Sequence, residues 1–141
     1  MRTRDPKIDL LRHLWLLSSA GRRELRAVAA AADLATVPAG HVLVRAGGRA
    51  TEVYVIVAGT AEVVLDGRVL AAVGPGEFVG EVGVIDGQPR TADVVATSEV
   101  TVLAVHASQL RALLAASPGL RRGLLQQLAH RVRRMDLVPA A

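Results

Sequence analysis

Apolar residues near the start of the chain recur at helical spacing. Ile8, Leu11 and Trp15 share one face, behind an Asp5-Pro6 pair suited to opening a helix. A second helical run over residues 22–32 places Leu25, Val28 and Ala29 on one side. Pro38 and Gly40 then punctuate a change of pattern. Short Val-rich runs follow at residues 41–45, 52–57, 61–65, 68–73, 93–96 and 99–105. Glycines recur at turn positions between many of them, at 47, 48, 59, 67, 74, 76, 80, 83 and 87. Asp66-Gly67 is the strongest two-residue hairpin signal. Many short strands at this spacing predict a compact sandwich or rolled barrel. Helical spacing returns at 107–116 with Leu110, Leu113 and Leu114. Ser117-Pro118 supplies an N-cap and a first-turn proline for a last helix over 118–136. Its apolar stripe reads Leu120, Leu124, Leu128, Val132 and Met135.

Composition narrows the class. At 141 residues the chain fits one domain with a real core. Half of it is apolar, but Trp15, Tyr54 and Phe78 are its sole aromatics, so Ala, Val, Leu and Ile must build that core. The longest stretches without Asp, Glu, Lys or Arg are eleven residues, at 34–44 and 100–110, too short to span a bilayer. The charged start carries no signal-type apolar region, and a cytoplasmic protein is the simplest expectation. Without cysteine there are no disulfides, thiolate metal sites or thiol catalysis. His13, His41, His106 and His130 lack metal-ligand spacing. Neither a nucleophile elbow nor a Gly-x-x-x-x-Gly-Lys loop occurs, so no enzyme, metal or cofactor is expected.

The net charge is +4, with seventeen basic residues against thirteen acids. Arg121, Arg122, Arg131, Arg133 and Arg134 cluster near the C-terminus and could neutralise phosphates along a duplex. They also alternate with the leucine stripe, so the plainer reading is an amphipathic helix with a solvated Arg face.

The densest chemistry lies at residues 80–96. Gly80 and Gly83 flank Glu81, and nine residues after that carboxylate Pro89-Arg90-Thr91 leads into a strand-like run. Residues 82–86 can form one or two helical turns whose first N–H groups would point at an anion. Arg90 offers a planar fork for a phosphate, and Glu81 an acceptor for a sugar hydroxyl. Donors for phosphate beside an acceptor for ribose make a nucleotide site.

The run resembles the phosphate-binding cassette of the cyclic nucleotide-binding domain family. That family includes the catabolite activator protein, kinase regulatory subunits and gated channels. The match comprises Gly80, Glu81, Val82, Gly83, Val84, Ile85, Pro89, Arg90, Thr91, Ala92 and Val94, with no insertion between Glu81 and Arg90. It extends to Pro38-Ala39-Gly40, residues 54–59 and residues 73–78. The resemblance implies an eight-stranded β-roll of jelly-roll form, within an α+β, mainly β class. It implies that Glu81 binds the ribose 2′-OH, and that Arg90 and the N–H groups of Gly83 and Thr91 bind the cyclic phosphate. It further implies a C-terminal helix acting as a lid, with Arg131 near the position that caps the base in some channel domains.

The expected organisation is a single domain: N-terminal helices over about 6–36, a β-roll over 37–106 with its cassette at 80–92, and C-terminal helices over 107–136. Its ligand-binding residues are Gly80, Glu81, Val82, Gly83, Arg90, Thr91 and Ala92, with Arg131 as the base contact. The leading functional reading is a cyclic nucleotide sensor, with cAMP ahead of cGMP, signalling through its C-terminal helices to a protein effector. One alternative is a structural module of the same fold that works without ligand, dimerising through the last helix. The other is a basic nucleic-acid-binding domain. No helix-turn-helix, tandem site or membrane helix is read here, which leaves open a stand-alone sensor or a piece of something longer.

Overall fold

The computed structural model describes Lys7, Leu11, residues 21–80, Gly83 and residues 87–136, the last three of these by backbone alone. Of the first expected helix, Lys7 and Leu11 are helical and Leu11 is fully buried, whereas Ile8 and Trp15 lie outside the described residues. Helix α1 spans Arg22–Ala31 and buries Leu25, Val28 and Ala29, the side its periodicity predicts. Glu24 Oε1 accepts from the Gly21 N–H at 3.2 Å, satisfying one donor at the helix start.

Eight strands follow: β1 (Ala32–Val37), β2 (Val42–Val44), β3 (Glu52–Ala58), β4 (Ala61–Leu65), β5 (Arg68–Val73), β6 (Phe78–Val79), β7 (Asp93–Ala96) and β8 (Val100–His106). They form two antiparallel four-stranded sheets, ordered β1-β8-β3-β6 and β2-β7-β4-β5. This is the expected β-roll.

Alternation along β3 and β8 explains how the first sheet is buried on both faces. Val53, Val55, Leu103 and Val105 point to a core shared with Leu11, α1 and the C-terminal helices. Ile56, Val100 and Val102 point to a second core between the sheets, with Leu43, Val44, Val73, Val79 and Val94. The Asp66-Gly67 signal gives the tight hairpin it predicts. Leu65 pairs with Arg68, and both turn residues take positive φ, 52° and 76°.

Two strands escape sequence reading. β1 falls inside the span expected to be N-terminal helix, so the helical boundary at residue 36 is corrected to Ala31. Its segment Ala-Asp-Leu-Ala-Thr-Val has no clean alternation and is mostly exposed. Pairing with β8, from Ala32↔Val105 to Val37↔Val100, makes it a strand. β6 has two residues, too few to show a period.

Helices α2 (Ala107–Ala116) and α3 (Pro118–Asp136) close the domain at the predicted positions. Ser117 is the expected N-cap, its Oγ accepting from the Leu120 N–H at 3.1 Å. Arg121 donates through Nη1 to the carbonyls of Leu114 and Ala115, at 2.6 and 3.0 Å. One member of the basic cluster therefore caps α2 in place of a purely solvated role. Leu120 is buried, and Leu124 and Leu128 pack on the first core. Val132 leaves the predicted stripe and is 54% exposed, because the inward face of α3 runs from Leu120 through Gln127 to Arg131; the Met135 side chain lies outside the described residues.

Candidate functional site

The loop between β2 and β3 builds the site from its backbone. Gly47 takes φ 79°, which lets residues 46–49 fold back on the segment entering β7. The Gly47 N–H donates to the Arg90 carbonyl at 2.8 Å, and the Arg90 N–H donates to the Gly48 carbonyl at 3.0 Å. Asp93 Oδ1 accepts from the Ala46 N–H at 2.7 Å and pins the same loop from β7.

Those contacts fix Arg90, which is 8% exposed. Its guanidinium is held by three backbone carbonyls. Nε donates to Arg49 O at 3.1 Å, Nη2 to Glu52 O at 2.9 Å and Nη1 to Gly80 O at 3.4 Å. A guanidinium has five N–H donors, so one remains on each terminal nitrogen. That pair suits two oxygens of one anion. Among the described residues no carboxylate pairs with Arg90. A buried cation with carbonyl dipoles but no counter-charge is costly unless an anion joins it.

The glycines make room. Gly80 has φ 84°, and a Cβ there would collide with Arg90 Nη1. At Gly83 a Cβ would come within 2.7 Å of both Ala50 Cβ and the Gln88 carbonyl. The Gly87 N–H donates to Gly83 O at 3.0 Å, the spacing of a helical turn at the expected place.

Gly80, Gly83, Arg90, Thr91, Ala92 and Arg131 line one cavity of about 160 Å³ with Val44, Val63, Val79 and Val94. Six of the eight candidate residues are thus brought together, from the cassette and from α3. Glu81 and Val82 lie outside the described residues. Thr91 is exposed and Ala92 is buried. The cavity's charged lining, among the described residues, is cationic: Arg90 and Arg131. A wider groove of about 480 Å³ lies behind the cassette, beside Arg49, His106 and Arg111, and shares Gly83 with the first.

Arg131 donates through Nη2 to the Phe78 carbonyl, and its guanidinium lies 4.6 Å from the centroid of the Phe78 ring. Beside Arg90, burial raises the Tyr54 phenol above its ordinary value of 10.0. The Glu52 charge and hydrogen bond add to the rise, and the Arg90 charge opposes it.

Sequence reasoning missed two parts. Carbonyls of Arg49 and Glu52 hold the guanidinium, and any residue type has a carbonyl; the Gly47-Gly48 pair was the available signal. The other is Gln127, 3% exposed, whose Oε1 accepts from the Phe78 N–H at 3.3 Å. Its Nε2 donates to Gly76 O at 3.2 Å. A polar residue on the leucine side of α3, between Leu124 and Leu128, was its signal.

Comparison with known proteins shows the family. Residues 34–117 match the model of the cyclic nucleotide-binding domain. A Pycsar effector protein of Xanthomonas perforans is 34% identical over 115 residues, which cover 80% of this chain and 38% of that protein. A CRP-like cAMP-activated global transcriptional regulator of Mycobacterium tuberculosis is 31% identical over 104 residues, 70% of this chain and 46% of the regulator. The solved regulatory domain of Toxoplasma gondii PKA with cAMP superposes with a TM-score of 0.68 at 26% identity, covering 76% of this chain and 42% of that one. This chain therefore spans less than half the length of each of these relatives. The family match runs from β1 through the cassette to the start of α3, and the chain belongs to the cyclic nucleotide-binding domain family.

Proposed function

We propose that this chain is a sensor module that binds cAMP in the cavity at Arg90 and passes the signal on through α2 and α3. The observation that carries the reading is the buried Arg90 guanidinium, held by three carbonyls and without a carboxylate partner among the described residues. An anion with two in-plane oxygens satisfies it, and a cyclic phosphodiester is such an anion. The N–H groups of Gly83 and Thr91 share the phosphate, and Glu81 accepts from the ribose 2′-OH. The apolar wall of Val44, Val63, Val79 and Val94 receives the ring atoms, with Arg131 over the base.

The choice of cAMP over cGMP draws on the mycobacterial regulator, which is cAMP-activated, and on the Toxoplasma domain, solved with cAMP. The role is regulatory, not catalytic. Among the described residues no three His, Cys, Asp or Glu side chains could hold a metal together, and no helix is long and apolar enough to cross a membrane. A cytoplasmic setting and a protein effector complete the proposal. A second reading, a scaffold that works without ligand, is favoured by the cavity volume of about 160 Å³. Ligand pockets usually exceed about 300 Å³. Calorimetric titration with cAMP and with cGMP, beside a salt-dependent DNA-binding assay, separates the sensor, the scaffold and a nucleic-acid-binding role. Saturable heat with cAMP and no salt-sensitive DNA binding supports the sensor; heat with neither nucleotide rejects it.

A further inference from the structure

The ladder between β2 and β7 ends on the rung Val44↔Val94. Beyond it the two segments rejoin at Arg90, whose N–H donates to Gly48 O at 3.0 Å and whose carbonyl accepts from the Gly47 N–H at 2.8 Å. A continued antiparallel ladder would set Ala46 opposite Ala92. Instead the Ala46 N–H donates to the Asp93 side chain, at Oδ1 and 2.7 Å. A carboxylate thus stands in for a backbone carbonyl where the ladder opens. Thr91 and Ala92, released from it, line the cavity. The Thr91 N–H has no hydrogen-bond partner among the described residues.

One short turn transmits this contact to the guanidinium. The Gly48 N–H donates to Arg45 O at 3.1 Å and closes the turn around Ala46 and Gly47. The carbonyl of the next residue, Arg49, accepts from Arg90 Nε at 3.1 Å. The turn therefore grips Arg90 by its backbone and by its side chain, and Asp93 grips the turn. Asp93 is partly buried at the first position of β7, beside Val64 of β4, and is not part of the cavity lining. Its negative charge opposes an incoming anion and does not attract it. What it contributes is an acceptor, and charge assistance makes that acceptor a strong one.

We propose that Asp93 is a positioning residue that holds Arg90 in its anion-binding pose through the turn at residues 45–49, acting as a hydrogen-bond acceptor and not as a charge. For its ligand this inference rests on the cyclic nucleotide reading, but the hold on Arg90 can be measured without any nucleotide.

The experiment compares the parent with Asp93→Ala, Asp93→Val and Asp93→Asn. Val favours strands and likewise lacks the acceptor, so that variant decides the matter should the Ala variant fail to fold. Asn removes the charge and keeps an acceptor oxygen. Without nucleotide, amide hydrogen exchange at Gly47 and Arg90 should quicken by roughly tenfold in the Ala and Val variants, while residues 102–105 of β8 keep the parent rate. The absorbance midpoint of Tyr54 should rise in both, since a displaced Arg90 no longer holds it down. Calorimetric affinity for cAMP should fall by roughly tenfold. The Asn variant should keep the exchange rates, the midpoint and the affinity close to those of the parent. Parent-like exchange at Gly47 and Arg90 in the Ala and Val variants overturns the proposal, and so does an Asn variant as impaired as they are. If no protein in the series, parent included, binds cAMP or cGMP, the nucleotide reading fails, and the exchange rates and the Tyr54 midpoint still decide whether Asp93 holds Arg90.

Discussion

Arg90 donates through Nη2 to the backbone carbonyl of Glu52, at 2.9 Å, and not to the carboxylate of the same residue. That carboxylate accepts from the Tyr54 hydroxyl at 3.5 Å. Among the described residues the guanidinium is therefore oriented without being neutralised. A carbonyl aims a cation, whereas a carboxylate would also have cancelled its charge and competed with an incoming anion.

Gly80 is the point where this arrangement is most easily broken. Gly80→Ala requires a side chain at φ 84° and drives its Cβ into Arg90 Nη1. Backbone strain should cost about 1–2 kcal/mol of stability, since a non-glycine residue pays for the left-handed region. The shifted guanidinium should weaken cAMP binding by roughly tenfold or more, as a bidentate contact tolerates little displacement. Thermal denaturation and calorimetry on the same sample check the two effects separately.

The ribose role of Glu81 has a direct chemical test. Parent protein should prefer cAMP to 2′-deoxy-cAMP by roughly tenfold, because the missing hydroxyl strands a desolvated acceptor. Glu81→Ala should lose most of that preference. Equal affinities of the parent for the two nucleotides would remove Glu81 from the site.

Tyr54 is the chain's one tyrosine, so its phenolate absorbance titrates a single group. The midpoint should lie above 10.0, raised by burial and by Glu52 and held back by Arg90. A folded-state value above the unfolded one contributes stability that is fully present below the unfolded value. That contribution is lost as pH rises above 10.0 and through the raised folded value. Arg90→Ala removes the opposing charge and should move the midpoint up; Glu52→Gln should move it down. A midpoint unmoved by Arg90→Ala would show that the guanidinium does not sit beside the phenol.

What sequence made legible was local. Residues 61–65, 68–73 and 93–96 read as strands and are strands with those bounds, because Val-rich runs between turn residues leave few other solutions. Ser117-Pro118 and Asp66-Gly67 marked their cap and turn for the same reason. Likewise, six candidate residues meet at one cavity, since five of them sit within thirteen positions of chain. The unread parts depend on distant partners. β1 is a strand because β8 offers it an edge, and Val132 is exposed because Arg131, not Val132, continues the inward face of α3. The carbonyls around Arg90 come from residues 41, 38 and 10 positions away, and their side-chain types are irrelevant to the contact. Gln127 finds Phe78 across 49 positions.

The central claim is that Arg90 is the anchor of a cyclic nucleotide. Calorimetric titration of cAMP into the parent and into Arg90→Ala at equal ionic strength tests it most directly. The parent should bind one nucleotide per chain. Loss of a charge-assisted bidentate contact should cost Arg90→Ala on the order of 3 kcal/mol, about a hundredfold in affinity. Arg90→Lys should fall short of the parent as well, because an ammonium cannot supply the fork. Arg90→Ala that binds cAMP as tightly as the parent, or a parent that binds neither cAMP nor cGMP, would contradict the account.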